Sequence, residues 1–250
     1  MTNKNIFEQI GNIDDDLIED ANKSSAKKKQ PLKFYIPIAA CLALVFAIGI
    51  PTIALNAKNQ IKLENSQNAK AKYINKAPFV VSADCLIPLS EDEIFSKFDL
   101  AIFKGTIKEI KNIEVSYNGS LDYRAIAKIE IEKVYKGSSK IGDIVSVLLT
   151  CPIDTEFKMT ETATVSAMRE GMSGIFMPMK YDESSVRIEN DATVGLRDLA
   201  EYGFADGERY AFLETENGLL FSSSAYKSVS SATSLDEIEK YVVEKVKVNN

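Results

Sequence analysis

Hydrophobic positions follow three different regimes along the chain. Residues 5–21 place Ile6, Ile10, Ile13, Leu17 and Ala21 at spacings of three and four, with Phe7 and Ile18 flanking that face. Glu8, Asp14, Asp15, Asp16, Glu19 and Asp20 fill the opposite face. This period predicts an amphipathic helix. Residues 34–55 then run for 22 positions without a charge; as a helix they would span roughly 33 Å, enough for a bilayer core of about 30 Å. From residue 100 onward the dominant period shortens to two, which predicts strands.

Turn and cap residues divide the last region. Ser90 with Glu93 is a capping-box pattern that opens a short helix over 91–98. Strands 100–115 and 123–135 flank Tyr117-Asn118-Gly119-Ser120, whose Asn-Gly pair predicts a type I′ turn. In the second strand Ile126, Lys128, Glu130 and Glu132 alternate against Ala125, Ala127, Ile129 and Ile131, so the latter set should face a core. Further strands are expected at 144–150, 175–180, 210–214 and 219–223, with turns at Gly207-Glu208 and Asn217-Gly218. A second capping box, Ser234 with Glu237, opens a final helix with Leu235, Ile238, Tyr241, Val242 and Val246 on its apolar side.

The apolar run is read as a transmembrane helix, because a soluble helix of that length carries a polar stripe. Pro37 and Pro51 sit near its ends, where lost backbone hydrogen bonds are tolerated most easily. A cleaved signal peptide would need a shorter apolar region, and a lipobox at Ile38-Ala39-Ala40-Cys41 would normally close the run rather than open it. An uncleaved anchor is therefore expected. Lys23, Lys27, Lys28, Lys29 and Lys33 precede the run, against Lys58 and Lys62 just after it, which orients the N-terminus to the cytoplasm. The expected layout is a cytoplasmic arm at 1–22, a Lys-rich linker at 23–33, the transmembrane helix at 34–55, a solvated stalk at 56–77 and an extracytoplasmic β-rich domain at 78–250.

Composition narrows the chemistry. The chain has no histidine, which removes Ser-His-Asp and Cys-His nucleophile systems and His-ligated zinc. Residues 1–77 carry 11 Lys against 7 Asp+Glu, while residues 78–250 carry 19 Lys+Arg against 29 Asp+Glu. An acidic main body makes nucleic acid an unsuitable partner, since affinity for it comes from cations that displace condensed counterions. Cys85 and Cys151 would both be external and able to form one disulfide, or remain two thiols; Cys41 falls in the apolar run.

Five or more strands with one early and one late helix suggest a small closed barrel of the OB type. Asp99-Leu100-Ala101-Ile102-Phe103-Lys104-Gly105-Thr106-Ile107, then Ile131-Glu132-Lys133-Val134-Tyr135-Lys136-Gly137, Gly142-Asp143 and Arg169-Glu170-Gly171 before Ile175-Phe176, resemble the netrin-like and tissue-inhibitor-of-metalloproteinases OB barrels over about residues 85–180. The inhibitory chemistry of that family does not carry over, because Cys85 is internal and has no free amine. The N-terminal 55 residues, with the Ile13-Asp14-Asp15-Asp16-Leu17-Ile18-Glu19-Asp20-Ala21 helix, a Lys-rich spacer and an Ala-Ala-Cys-Leu run, resemble single-pass anti-sigma-factor-like membrane proteins of Gram-positive bacteria. That resemblance implies an arm that binds a cytoplasmic regulator, although the arm is far shorter than a typical sigma-binding domain.

Other motifs resolve into ordinary structure. Gly137-Ser138-Ser139-Lys140 lacks the first glycine of a phosphate-binding loop, and Gly171-Met172-Ser173-Gly174 lacks the third glycine of a dinucleotide fingerprint. Asp182-Glu183 and Glu189-Asn190-Asp191 lack calcium-loop spacing and read as solvated loops. The expectation is a mainly β, OB-like barrel with one short N-terminal and one C-terminal helix, tethered to a single transmembrane helix. No catalytic residue, metal ligand or cofactor is nominated, and the chain is expected not to be an enzyme. Its expected partners are the membrane, a cytoplasmic regulator held by Ile6, Ile10, Ile13, Leu17 and Ile18, and an envelope ligand. The alternative is an envelope binding module whose arm only anchors it.

Overall fold

The computed structural model describes residues 59–79, 81–82, 85–156 and 158–248. The arm, the Lys-rich linker and the apolar run, and with them Ile6, Ile10, Ile13, Leu17, Ile18 and Cys41, lie outside the described residues. Among the described residues no helix is long and apolar enough to cross a membrane.

The chain is mainly β. Strands β1 (Gln60–Ile61), β2 (Ala69–Ile74) and β3 (Val81–Ser82) precede helix α1 (Glu91–Ser96). Two long strands follow, β4 (Ile102–Tyr117) and β5 (Ser120–Lys136), then β6 (Ile144–Leu149), β7 (Lys158–Met159) and helix α2 (Ala163–Ser166). The chain continues through β8 (Ser173–Phe176), β9 (Met179–Lys180), β10 (Val186–Glu189), β11 (Ala192–Gly195), β12 (Tyr202–Gly203), β13 (Ala211–Thr215) and β14 (Gly218–Leu220) before helix α3 (Leu235–Val248).

Local signals predicted from sequence are realised at several points. Ser90 Oγ accepts from Glu93 N–H at 3.3 Å while the Glu93 carboxylate accepts from Ser90 N–H at 2.7 Å, a complete capping box at the start of α1. At α3 the Glu237 carboxylate accepts from Thr233 N–H at 2.7 Å and also from the Ser234 backbone. The five residues expected on the apolar side of α3 are all buried.

Asn118 (φ 49°) and Gly119 (φ 100°) both adopt positive φ, as a type I′ turn between β4 and β5 requires. A Cβ at Gly119 would meet nothing within 4 Å, so the demand there is purely conformational. Gly119→Val should therefore cost about 1–3 kcal/mol in urea denaturation, with Gly119→Asn much milder, because a β-branched residue is strained at positive φ. Equal midpoints for the two variants would contradict the turn geometry.

Among the described residues the main sheet has ten strands: eight run β14-β13-β8-β4-β5-β6-β12-β9, while β2 pairs with β4 off this path and β1 pairs with β2. β12 is parallel to β6 and antiparallel to β9. A bridge between Leu100 and Met179, with Ala101 N–H donating to Pro178 O at 2.9 Å, brings that end back beside the start of β4. The sheet therefore curls. A register shift between Ile107 and Glu109 inserts one extra residue on β4 and exchanges its faces. As a result Phe103 and Ile107 join the main core, whereas Ile113, Val115 and Tyr117 join a second cluster on the other side with Ile126, Leu148 and Val194. Ala125, Ala127, Ile129 and Ile131 of β5 face the main core, as their alternation predicts, and α3 covers it with Ile238 and Val242.

Two segments differ from the sequence reading. The stretch 56–77, expected as a solvated stalk, belongs to the fold from Gln60 onward: β2 pairs with β4 from Ala69–Tyr117 to Ile74–Asn112. Its Ala-Lys alternation is that of a half-buried edge, with Ala71 inside and Lys72 reaching Glu114 at 2.8 Å. The acidic loop around 189–191 is solvated, as read from sequence: it is the turn of the β10–β11 hairpin, with Asn190 and Asp191 exposed and at positive φ. The expected strand 175–180 is divided into β8 and β9, which pair with different neighbours.

Candidate functional site

A cleft of about 350 Å³ opens between the loop after β3, the segment after α1, the end of β6 and the loops around residues 159–162 and 204–209. That volume lies within the range of small-ligand pockets. Its base is the turn Asp206-Gly207-Glu208-Arg209. Asp206 Oδ1 accepts from Glu208 N–H at 2.9 Å and Arg209 N–H at 2.8 Å, while Oδ2 accepts from Arg209 Nε at 2.8 Å. Both side chains are at least nine-tenths buried. Arg209 Nη1 donates to Ile87 O at 2.8 Å and so ties the loop that follows β3 to the turn. Gly207 has no room for a Cβ: one would stand 2.7 Å from Thr162 Cα and 2.8 Å from Thr150 Oγ1. Tyr226 OH donates to Arg209 O at 2.5 Å and supports the turn from below.

Titratable groups near the turn are shifted by burial. Glu208, whose carboxylate accepts from Ala163 N–H, is held above the usual carboxylate range by burial, with that hydrogen bond opposing the shift and Glu161 and Asp206 adding to it. Burial pushes the Tyr210 hydroxyl up to about 12, with the Asp206 charge acting in the same direction. Among the described residues that hydroxyl has no hydrogen-bond partner.

Arg124 reaches the cleft from β5. Its Nε donates to Asp122 Oδ2 at 2.7 Å, and the same carboxylate oxygen accepts from Arg187 Nη1 at 2.8 Å. Arg187 also bonds Glu189 at 2.8 Å and stacks its guanidinium over the Tyr117 ring at 5.3 Å. This network joins β10 to the main hairpin. Burial disfavours the Arg124 charge, but the adjacent Asp122 carboxylate more than offsets that and holds the guanidinium charged.

Cys85 and Cys151 both belong to this region. Cys85 is exposed and lines the cleft; Cys151 is buried behind Thr150, its thiol pushed up to about 11 by burial. The disulfide considered from sequence is not formed, and both thiols are free. The glycine motifs set aside earlier are turn structure: Gly137 and Gly171 take positive φ, and Ser139 hydrogen-bonds the Tyr202 hydroxyl at 2.7 Å. Among the described residues no three His, Cys, Asp or Glu side chains converge as a metal site.

Arg124, Asp206 and Arg209 were not singled out from sequence. The usable signal was the rarity of arginine: five in a chain with 30 Lys+Arg, one inside the predicted strand 123–135 and one three residues after an aspartate. Comparison with known proteins finds no matching family model, no matching curated protein and no matching solved structure.

Proposed function

We propose that this chain is a single-pass membrane signalling or regulatory protein. Its short arm holds a cytoplasmic regulator, with a sigma factor as the partner that the N-terminal resemblance implies, and its β-domain is an extracytoplasmic OB-like barrel that binds a ligand in the cleft. One juxtaposition carries this reading. The uncharged run ends at Leu55, with lysines concentrated before it, and the first described strand of the β-fold starts at Gln60. Among the described residues, all of which follow the run, two hydrophobic cores form, which supports reading the β-domain as a unit of its own.

The strand path supports the OB-like reading. A meander β4-β5-β6, a parallel β6–β12 pair, an antiparallel β12–β9 pair and the return of β9 to the start of β4 follow the order of a five-stranded Greek-key barrel. The cleft favours one second reading, an envelope binding module anchored by its apolar run, because residues of the β-domain line it.

The arm decides between the two readings. A segment of this length is marginal as a free helix and should fold on a partner's groove. Burying one Leu contributes about 1.5–3 kcal/mol, so Leu17→Asp in the full chain should weaken capture of the cytoplasmic regulator at least about tenfold and change the regulator's reporter output. Glu19→Gln, on the polar side, should change little beyond salt-dependent steering. Unaltered capture and reporter output in Leu17→Asp would leave the arm as an anchor.

A further inference from the structure

We propose that the cleft binds a small carboxylate that carries an apolar group, with the carboxylate on the Nη groups of Arg124 and the apolar group against Phe98, Met159 and Phe204. The proposal deepens the reading of the cleft as the ligand site of the β-domain and rests on it.

Arg124 is built to receive an anion. Asp122 takes its Nε, and among the described residues its Nη1 and Nη2 donate to no protein acceptor. Its side chain is 23% exposed and forms part of the cleft wall. A guanidinium with two donors left in one plane matches a carboxylate bidentately, and partial burial strengthens that contact over its value in water. The other arginine at the cleft is already closed, because Arg209 is committed to Asp206 and to Ile87 O. Lys97 also lines the cleft but is exposed, where solvent and salt screen its charge, so selectivity for an anion rests chiefly on Arg124.

A hydroxyl stands in the same cleft. Thr150 Oγ1 lines it and is buried beside the Cys151 thiol. A hydroxyl there can donate to a carboxylate placed next to it. The cleft is also lined by the apolar Leu86, Leu89, Phe98, Met159 and Phe204. Glu161 also lines the cleft, but it is exposed, where solvent and salt screen its charge. An inorganic oxyanion would use Arg124 and waste the apolar walls; a neutral apolar molecule would leave Arg124 unanswered. A carboxylate with an apolar body uses both.

Cys85 supplies a probe in place. It lines the cleft and is exposed, whereas Cys151 is buried with its thiol raised, so alkylation followed by peptide mass spectrometry at Cys85 reads the cleft itself. With the full chain in neutral phosphatidylcholine nanodiscs, millimolar N-acetyl-leucine should protect Cys85 from iodoacetamide, while the isosteric N-acetyl-leucinamide and inorganic phosphate should protect it at least about tenfold less well. Arg124→Gln should abolish the difference between acid and amide. It should also lower the ratio of iodoacetate to iodoacetamide reactivity at Cys85 by about threefold, because a nearby positive charge concentrates the anionic reagent.

Arg124 also serves the Asp122 network, so Ile87→Glu gives an independent variant. Ile87 lines the cleft, is 66% exposed, and contributes only its carbonyl to Arg209. A carboxylate there should reduce both N-acetyl-leucine protection and the iodoacetate ratio without altering the fold. Equal protection by acid and amide, equal protection by phosphate, or no response to Ile87→Glu would overturn the proposal. These measurements use purified chain and are indifferent to its orientation in the membrane, so their failure is distinct from failure of the topology.

Discussion

Asp206→Ala is expected to destabilise the β-domain by about 3–5 kcal/mol, because it leaves the Arg209 guanidinium buried without a counter-charge. The Arg209 side chain is 10% exposed, too enclosed for water to replace the carboxylate. The substitution also strips the acceptor from Glu208 N–H and Arg209 N–H, so the turn loses its internal ties together with the ion pair. For a chain of this size the loss should lower the melting temperature by roughly 10 °C. The double variant Asp206→Leu with Arg209→Met should recover part of that stability, since removing both charges removes the uncompensated one. A change within about 1 kcal/mol for Asp206→Ala would mean that the pair is screened like a surface bridge.

The second large effect is expected at Gly105. It sits in β4 directly opposite Gly174 of β8, and a Cβ there would fall 2.3 Å from Glu130 O and 3.0 Å from Ile129 Cγ2. The atom in the way is backbone of the paired strand β5, which cannot rotate aside as a side chain could. Gly105→Ala should therefore force the two long strands apart and cost about 2–3 kcal/mol, at the upper end of overpacking. Gly142→Ala makes a useful contrast: its Cβ would meet nothing within 4 Å, and only its positive φ opposes the change. Loss of stability at Gly142 greater than that at Gly105 would contradict the close approach of β4 and β5.

Legibility in the sequence tracked how local each signal was. The Asn118-Gly119 turn, the Ser90–Glu93 cap and the apolar side of α3 were all readable, because each is decided within a few residues and the structure keeps them. β2 was not readable. Its Ala-Lys alternation resembles a solvated linker, and what makes it a strand is the open edge of β4, some forty residues away in sequence. β10 was hidden for the same reason: Arg187 and Glu189 look like solvent-facing charges until Asp122 and Ser120 are placed beside them. The face exchange on β4 depends on one inserted residue at Lys108, and period-two reading passes over it.

The cleft was the least legible feature. Its wall draws on residues near 87, 98, 124, 150, 159 and 206, brought together only by the curl of the sheet. No spacing motif can report such a set. What sequence offered was Cys85 and Cys151, and both do stand in that region, as free thiols rather than as a bridge.

Orientation of the two ends of the chain tests the account most directly. Protoplasts carrying the full chain with an epitope at each terminus would be treated with protease from outside. The account predicts that the C-terminal epitope and the β-domain from Gln60 are digested, while the N-terminal epitope survives on a fragment small enough to hold only the arm and the apolar run. Survival of the C-terminal epitope with loss of the N-terminal one would contradict it.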